Sequence, residues 1–117
     1  MPLLSVSTSA AVASNESANE LLRALSQYLA RELSKPEQYV MTVLRDRERM
    51  TFGGTDASAC YVELKNVGRF TPEQTRRLSK ALCERLSAGL GVPSDRIYIE
   101  FANADGHLWG FDGNTFG

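Results

Sequence analysis

Leucines fall at helical spacing in two separate stretches of this chain. Leu21, Leu25, Leu29 and Leu33 stand four apart, as do Leu78, Leu82, Leu86 and Leu90, so each set lines one face of an amphipathic helix. The two stretches are copies. An offset of 57 positions pairs Leu21 with Leu78, Ala24 with Ala81, Leu25 with Leu82, Leu29 with Leu86, Leu33 with Leu90 and Pro36 with Pro93. Each copy opens with a strand, passes through its helix and reaches a second strand a few residues after its proline. The pattern predicts a duplicated βαβ unit, at about residues 2–44 and 59–101, within a single domain spanning 1–117.

Local signals agree with this division. Thr71, Pro72, Glu73 and Gln74 place a capping threonine before a first-turn proline, with glutamine at the capping-box position. The second helix therefore starts near Thr71. Its partner under the offset is Ser14, although Ser17 to Glu20 is a competing capping box. Lys35 and Pro36 end the first helix, and Gly89 and Gly91 bracket the end of the second.

The strands show which faces are covered. Right-handed crossovers put both helices on one face of a four-stranded sheet, an α+β arrangement. In Ile97 to Phe101 the odd positions are apolar and face the helices, while Tyr98 and Glu100 share the other face. The segment Tyr39 to Leu44 reads as a strand that is apolar on both faces. A second face of this mixed character is suited to packing against other subunits. Between the copies, Arg45 to Arg49 alternates in charge as a solvated turn, and Phe52, Gly53, Gly54, Thr55 reads as a turn or short strand. The tail from Gly106 to Gly117 carries Trp109, Phe111 and Phe116 among glycines, and must bury these rings in its own core or in an interface.

Composition narrows the function. Thirteen basic and 14 acidic residues give a net charge of −1, with 43% hydrophobic and 23% charged residues. This is an ordinary globular balance, with no basic patch for nucleic acid or an anionic membrane surface. No apolar run has the length of a membrane span and no basic region precedes an apolar one at the N-terminus, so a cytoplasmic location is expected. Cys60 and Cys83 form neither a CxxC pair nor a metal-ligand spacing and read as buried apolar thiols. With His107 the one imidazole, no metal site is expected.

Pro2 carries the candidate chemistry. Proline in the first position of a strand does little harm to a sheet, and that alone is an adequate reason for it. Removal of Met1 would also make Pro2 a secondary amine at the start of a buried strand, where it can act as a base. The offset pairs Pro2 with Ala59, so only the first copy can carry that amine.

Several stretches together resemble the macrophage migration inhibitory factor and dopachrome tautomerase branch of the tautomerase superfamily. They are Met1, Pro2 with its apolar strand and Thr8; Lys35 to Val40; Met50 to Gly54; Val67, Gly68; Leu82, Cys83; Pro93 to Ile99; and Asn114, Thr115, Phe116. The resemblance covers nearly the whole chain and implies a homotrimer of duplicated βαβ units with an active site at each subunit interface. It implies a cofactor-independent keto–enol tautomerase, an isomerase acting on a small aromatic 2-oxo acid or enol such as phenylpyruvate, or on dopachrome-type compounds. Pro2 would be the general base. Lys35 would lower the pKa of that amine and bind the substrate's carboxylate or carbonyl, helped by the backbone N–H of Val67. Tyr98 would come from the neighbouring subunit, Phe116 would form an aromatic wall, and Phe111 falls where the family usually has tryptophan, with Trp109 two places earlier.

Three departures from the family pattern matter. Glu100 replaces an asparagine, and a carboxylate there would repel an acidic substrate and raise the pKa of Pro2. Ala59 and Val62 stand where the vertebrate cytokine has its CxxC pair, which disfavours thiol–disulfide chemistry. Ala10 to Ala13 lacks the arginine of the cytokine's receptor-binding surface, so receptor binding is not carried over. The alternative function is a binding or signalling protein with weak or vestigial tautomerase activity. A further alternative, resting on duplicated βαβ units alone, is a small ligand-sensing domain in which Pro2 is incidental.

Overall fold

The structure is a computed structural model that describes residues 1–117. Strand β1 (Leu3–Thr8), helix α1 (Asn15–Glu32) and strand β2 (Met41–Arg45) form the first unit; β3 (Cys60–Val67), α2 (Pro72–Leu90) and β4 (Ile97–Ala104) form the second. A two-stranded hairpin, β5 (Gly110–Phe111) and β6 (Asn114–Thr115), closes the chain. The main sheet has the order β2-β1-β3-β4. Pairing is parallel within each unit and antiparallel between β1 and β3 at the centre, so the repeat read from the leucines is also a repeat of topology.

Both helix starts follow their capping residues. The Thr71 side chain accepts from the Gln74 N–H, with Pro72 in the first turn. Ser14, rather than Ser17, caps α1, its side chain accepting from the Ser17 N–H. Gly91 ends α2 in the left-handed conformation (φ 71°), which costs glycine no side-chain clash. Pro36 and Pro93 each lead into one 3₁₀ turn, Glu37–Tyr39 and Ser94–Arg96, before the outer strand begins. This corrects the expectation that the strand starts at Tyr39. A proline-led turn lifts Tyr39 out of the sheet, and β2 starts at Met41.

The core lies between the helices and one sheet face. Leu25 and Leu29 of α1 and Leu78, Leu82 and Leu86 of α2 pack on Leu4 and Val6 of β1 and Val62 and Leu64 of β3, all fully buried. Cys60 is buried in this cluster, whereas Cys83 is only half-buried at its edge; both are free. The opposite sheet face has no covering layer within the chain. Its rows hold Met41, Leu3, Lys65 and Ala102, then Val43, Ser5, Glu63 and Glu100, then Arg45, Ser7, Tyr61 and Tyr98.

The charged segment after β2 is less solvated than its sequence indicates, since Asp46 Oδ2 accepts from the Val12 N–H at 3.0 Å. Phe52 and Thr55 pair around Gly53 and Gly54, both at positive φ, as a tight hairpin turn requires. Arg96 secures this loop. Its guanidinium donates to the carbonyls of Phe52, Thr55, Ala57 and Ser58 and lies over the Phe52 ring.

Candidate active site

Pro2 is fully buried at the head of β1, and its carbonyl accepts from the Met41 N–H at 3.0 Å. A cavity of about 240 Å³ opens beside it, lined by Met1, Pro2, Leu3, Gln38 to Met41, Trp109, Gly110, Phe111 and Phe116. This space fits one aromatic ring and its substituents, and is smaller than the ~300–1,000 Å³ of pockets for drug-sized ligands. Its wall is a ring cluster. Phe111 and Phe116 stack with centroids 5.5 Å apart and planes 15° apart, and Tyr39 meets both edge-on, at 5.4 and 5.9 Å.

The tail reaches this position through its own backbone. Asp112 and Gly113, both at positive φ, turn β5 into β6. The Phe116 N–H donates to the carbonyls of Gly106 and Trp109. Gly106 is needed for that approach, because a Cβ there would stand 2.6 Å from the Phe116 carbonyl oxygen. The aromatic tail therefore folds onto its own chain. Trp109, two places before Phe111, lines the same cavity.

Lys35 is not among the residues lining this cavity. Its Nζ donates to the Val67 carbonyl at 3.3 Å, tying the segment after α1 to the end of β3. Partial burial, then the Lys35 charge, lower the pKa of the Met1 amino group below its ordinary value of 8.0. Desolvation and a like charge both disfavour the protonated amine. Val67 contributes its carbonyl to the contact with Lys35.

Tyr98 and Glu100 lie elsewhere. Pro2 is at the Asn66 end of β3, whereas Tyr98 is opposite Tyr61, five positions along the strand and roughly 16 Å away. Tyr98 is 65% exposed and packs against Phe52 at 4.7 Å. Glu100 is exposed on the same face, where its Oε1 accepts from the Tyr61 hydroxyl at 3.2 Å. One chain brings Pro2, Phe111 and Phe116 to one cavity and joins Lys35 to Val67 outside its lining, but leaves Tyr98 and Glu100 at a distance.

The family model described as macrophage migration inhibitory factor matches residues 1–117. The chain belongs to the macrophage migration inhibitory factor family. It is 37% identical to a macrophage migration inhibitory factor homolog of Trichuris trichiura, over 99% of this chain and all of that one. It is 34% identical to the macrophage migration inhibitory factor of Mus musculus, over 99% of each chain. A solved homologue from Prochlorococcus marinus is 43% identical and superimposes with a TM-score of 0.92, covering 98% of this chain and 99% of that one. The resemblance to the tautomerase superfamily is thereby established, as is the α+β fold of duplicated βαβ units.

Membership of the macrophage migration inhibitory factor family does not by itself single out the cavity's other residues. Tyr39 and Trp109 join the wall, and Gln38 and Met41 join the lining, without having been named as site residues by sequence. The signal for Tyr39 was present in Pro36, Glu37, Gln38, a proline-led turn that the apolar run of β2 obscured. No helix is long and apolar enough to cross a membrane.

Proposed function

We propose that the protein is a cofactor-independent keto–enol tautomerase in which Pro2, freed by removal of Met1, is the general base. The observation that carries this reading is the burial of Pro2 beside an aromatic-walled cavity, with the Lys35 charge acting on the neighbouring Met1 amino group. Pro2 is itself fully buried, so an amine freed on it by removal of Met1 would be desolvated, which favours the neutral form. It is thus neutral to a greater extent near pH 7 than a free proline. Its lone pair takes a proton from the carbon next to the substrate's carbonyl as that C–H bond's electrons form the C=C bond. Charge collects on the carbonyl oxygen, which Lys35 stabilises, and the proton is then delivered to that oxygen to give the enol; ketonisation runs the same steps in reverse.

The ring cluster of Tyr39, Phe111 and Phe116 supports an aromatic substrate of the phenylpyruvate or dopachrome type. Assembly as a homotrimer accounts for two features together. It would cover the sheet face that carries Met41, Tyr61 and Tyr98, and it would carry Tyr98 and Glu100 of one subunit toward the cavity of another. The free, non-metal-spaced thiols accord with a cytoplasmic location. Glu100 favours a second reading, a binding protein with vestigial catalysis, because its carboxylate opposes an acidic substrate.

The test is the ketonisation of enol phenylpyruvate, followed by absorbance, using protein whose Pro2 N-terminus is confirmed by mass. Turnover that falls by at least about 10²-fold when Met1 is retained or in Pro2→Gly supports the amine base. No turnover above buffer from assembled, processed protein would overturn the phenylpyruvate assignment.

A further inference from the structure

Asn66 Oδ1 is a buried side-chain oxygen without a hydrogen-bond partner. Asn66 is only 6% exposed, and an unpaired buried acceptor carries a desolvation cost that folded proteins ordinarily avoid. Its position on β3 points to the missing donor. Leu3 pairs with Lys65, so one step earlier Pro2 falls opposite Asn66. The Pro2 carbonyl is turned toward β2, where it accepts from Met41. Pro2 and Asn66 therefore meet as a non-hydrogen-bonded antiparallel pair, the closer type, with Cα atoms about 4.5 Å apart and side chains adjacent. Both residues belong to the buried face of the sheet, as do Leu4 and Leu64 next to them.

With Met1 in place, the Pro2 nitrogen is a tertiary amide with no hydrogen to donate. Removing Met1 converts it to a secondary amine, which carries one N–H and one lone pair when neutral. Only an arrangement that points the N–H away from the cavity leaves the lone pair facing substrate. We propose that Asn66 Oδ1 accepts a hydrogen bond from the N–H that Met1 removal creates on Pro2, and so turns the lone pair toward the cavity. Asn66 is then a positioning residue, completed by processing, and its role in turnover rests on the tautomerase reading. The adjacent residue, Val67, holds the Lys35 ammonium through its carbonyl. Consecutive residues of β3 thus set the orientation of the base and the position of the cation that acts on it.

The test is a ¹⁵N NMR titration of Pro2 in processed, ¹⁵N-proline-labelled protein, for the parent chain, Asn66→Leu and Asn66→Ser. An acceptor stabilises the prolinium, so Asn66→Leu lowers the titration midpoint by about one unit, tenfold in proton affinity. Asn66→Ser, which retains a short acceptor, recovers part of that shift. An unchanged midpoint in Asn66→Leu overturns the proposal. A raised midpoint does so as well, since it would mean that the amide nitrogen had been donating to the lone pair. A crystal structure of the processed parent chain decides the matter even if neither variant folds. Oδ1 within 3.2 Å of the Pro2 nitrogen, a normal hydrogen-bond distance, supports the proposal, and a separation beyond about 3.5 Å overturns it. Neither measurement needs turnover, so a protein inactive on phenylpyruvate still tests Asn66. If activity is present, Asn66→Leu lowers kcat with little change in KM.

Discussion

The Lys35 ammonium donates to the Val67 carbonyl at 3.3 Å, which fixes a cation from the segment after α1 beside the head of β1. This contact keeps the charge where it acts on the Met1 amino group, one residue from Pro2. Lys35→Met preserves the aliphatic stem and removes the charge. Loss of a neighbouring cation favours the protonated amine, so the pH at which processed protein reaches half its maximal rate moves upward. We expect kcat/KM to fall on the order of 10²-fold, as when one stabilising donor is removed from a developing oxyanion. A lower rate with an unmoved pH midpoint would confine Lys35 to substrate binding.

Glu100 sits directly opposite Glu63 in the β3–β4 ladder, and Lys65 approaches the Glu63 carboxylate at 3.4 Å. Glu100 is left with a neutral partner, the Tyr61 hydroxyl. Partial desolvation and then this carboxylate raise the pKa of the Tyr61 phenol. If assembly brings Glu100 to a neighbour's cavity, Glu100→Asn removes repulsion of an acidic substrate worth about 1 kcal/mol at a solvated site. The expected result is a fivefold rise, roughly, in kcat/KM for enol phenylpyruvate. Unchanged or lower turnover in Glu100→Asn would refute the repulsion.

Phe116 is held in the cavity wall by its stack on Phe111 and its edge contact with Tyr39. Phe116→Ala removes two aromatic contacts of about 1 kcal/mol each and opens the wall to water. Steady-state kinetics should show KM rising about fivefold to tenfold with a smaller change in kcat. A variant that lost kcat alone would place the ring near the reacting atoms instead.

Cys60 is 2% exposed, and burial raises its thiol pKa above the ordinary value of 9.0, with a smaller opposing effect from the Thr8 hydroxyl. A thiol whose folded pKa is raised contributes stability below its unfolded pKa and loses it as pH rises through the folded one. Denaturant stability should therefore decline from about pH 9 upward, and less steeply in Cys60→Ala than in the parent chain. Native Cys60 should also resist alkylation at pH 8 until the protein unfolds, which a mass-spectrometric time course would measure.

Much of the fold was legible because its determinants are short-range. Leucine spacing, the Ser14 and Thr71 caps, Gly91 and the 57-residue repeat act within a few residues of where they are read, or repeat the same local pattern. Alternation in Ile97 to Phe101 likewise placed Tyr98 and Glu100 on the face away from the helices, where the structure has them. The family followed from motifs preserved in order along the chain.

The cavity was decided by tertiary structure, because its parts come from distant segments whose approach no local pattern encodes. Tyr39 entered the wall when a 3₁₀ turn overrode the apolar run that reads as strand. Phe111 and Phe116 reached it because Gly106 lets the tail backbone pass at a distance that a Cβ would forbid. Asn66 was brought opposite Pro2 only by the antiparallel register of β1 and β3, which depends on how two whole units pack. The chain's own residues thus determined the elements and the chemistry available to them, while register and tail docking determined which of those residues meet.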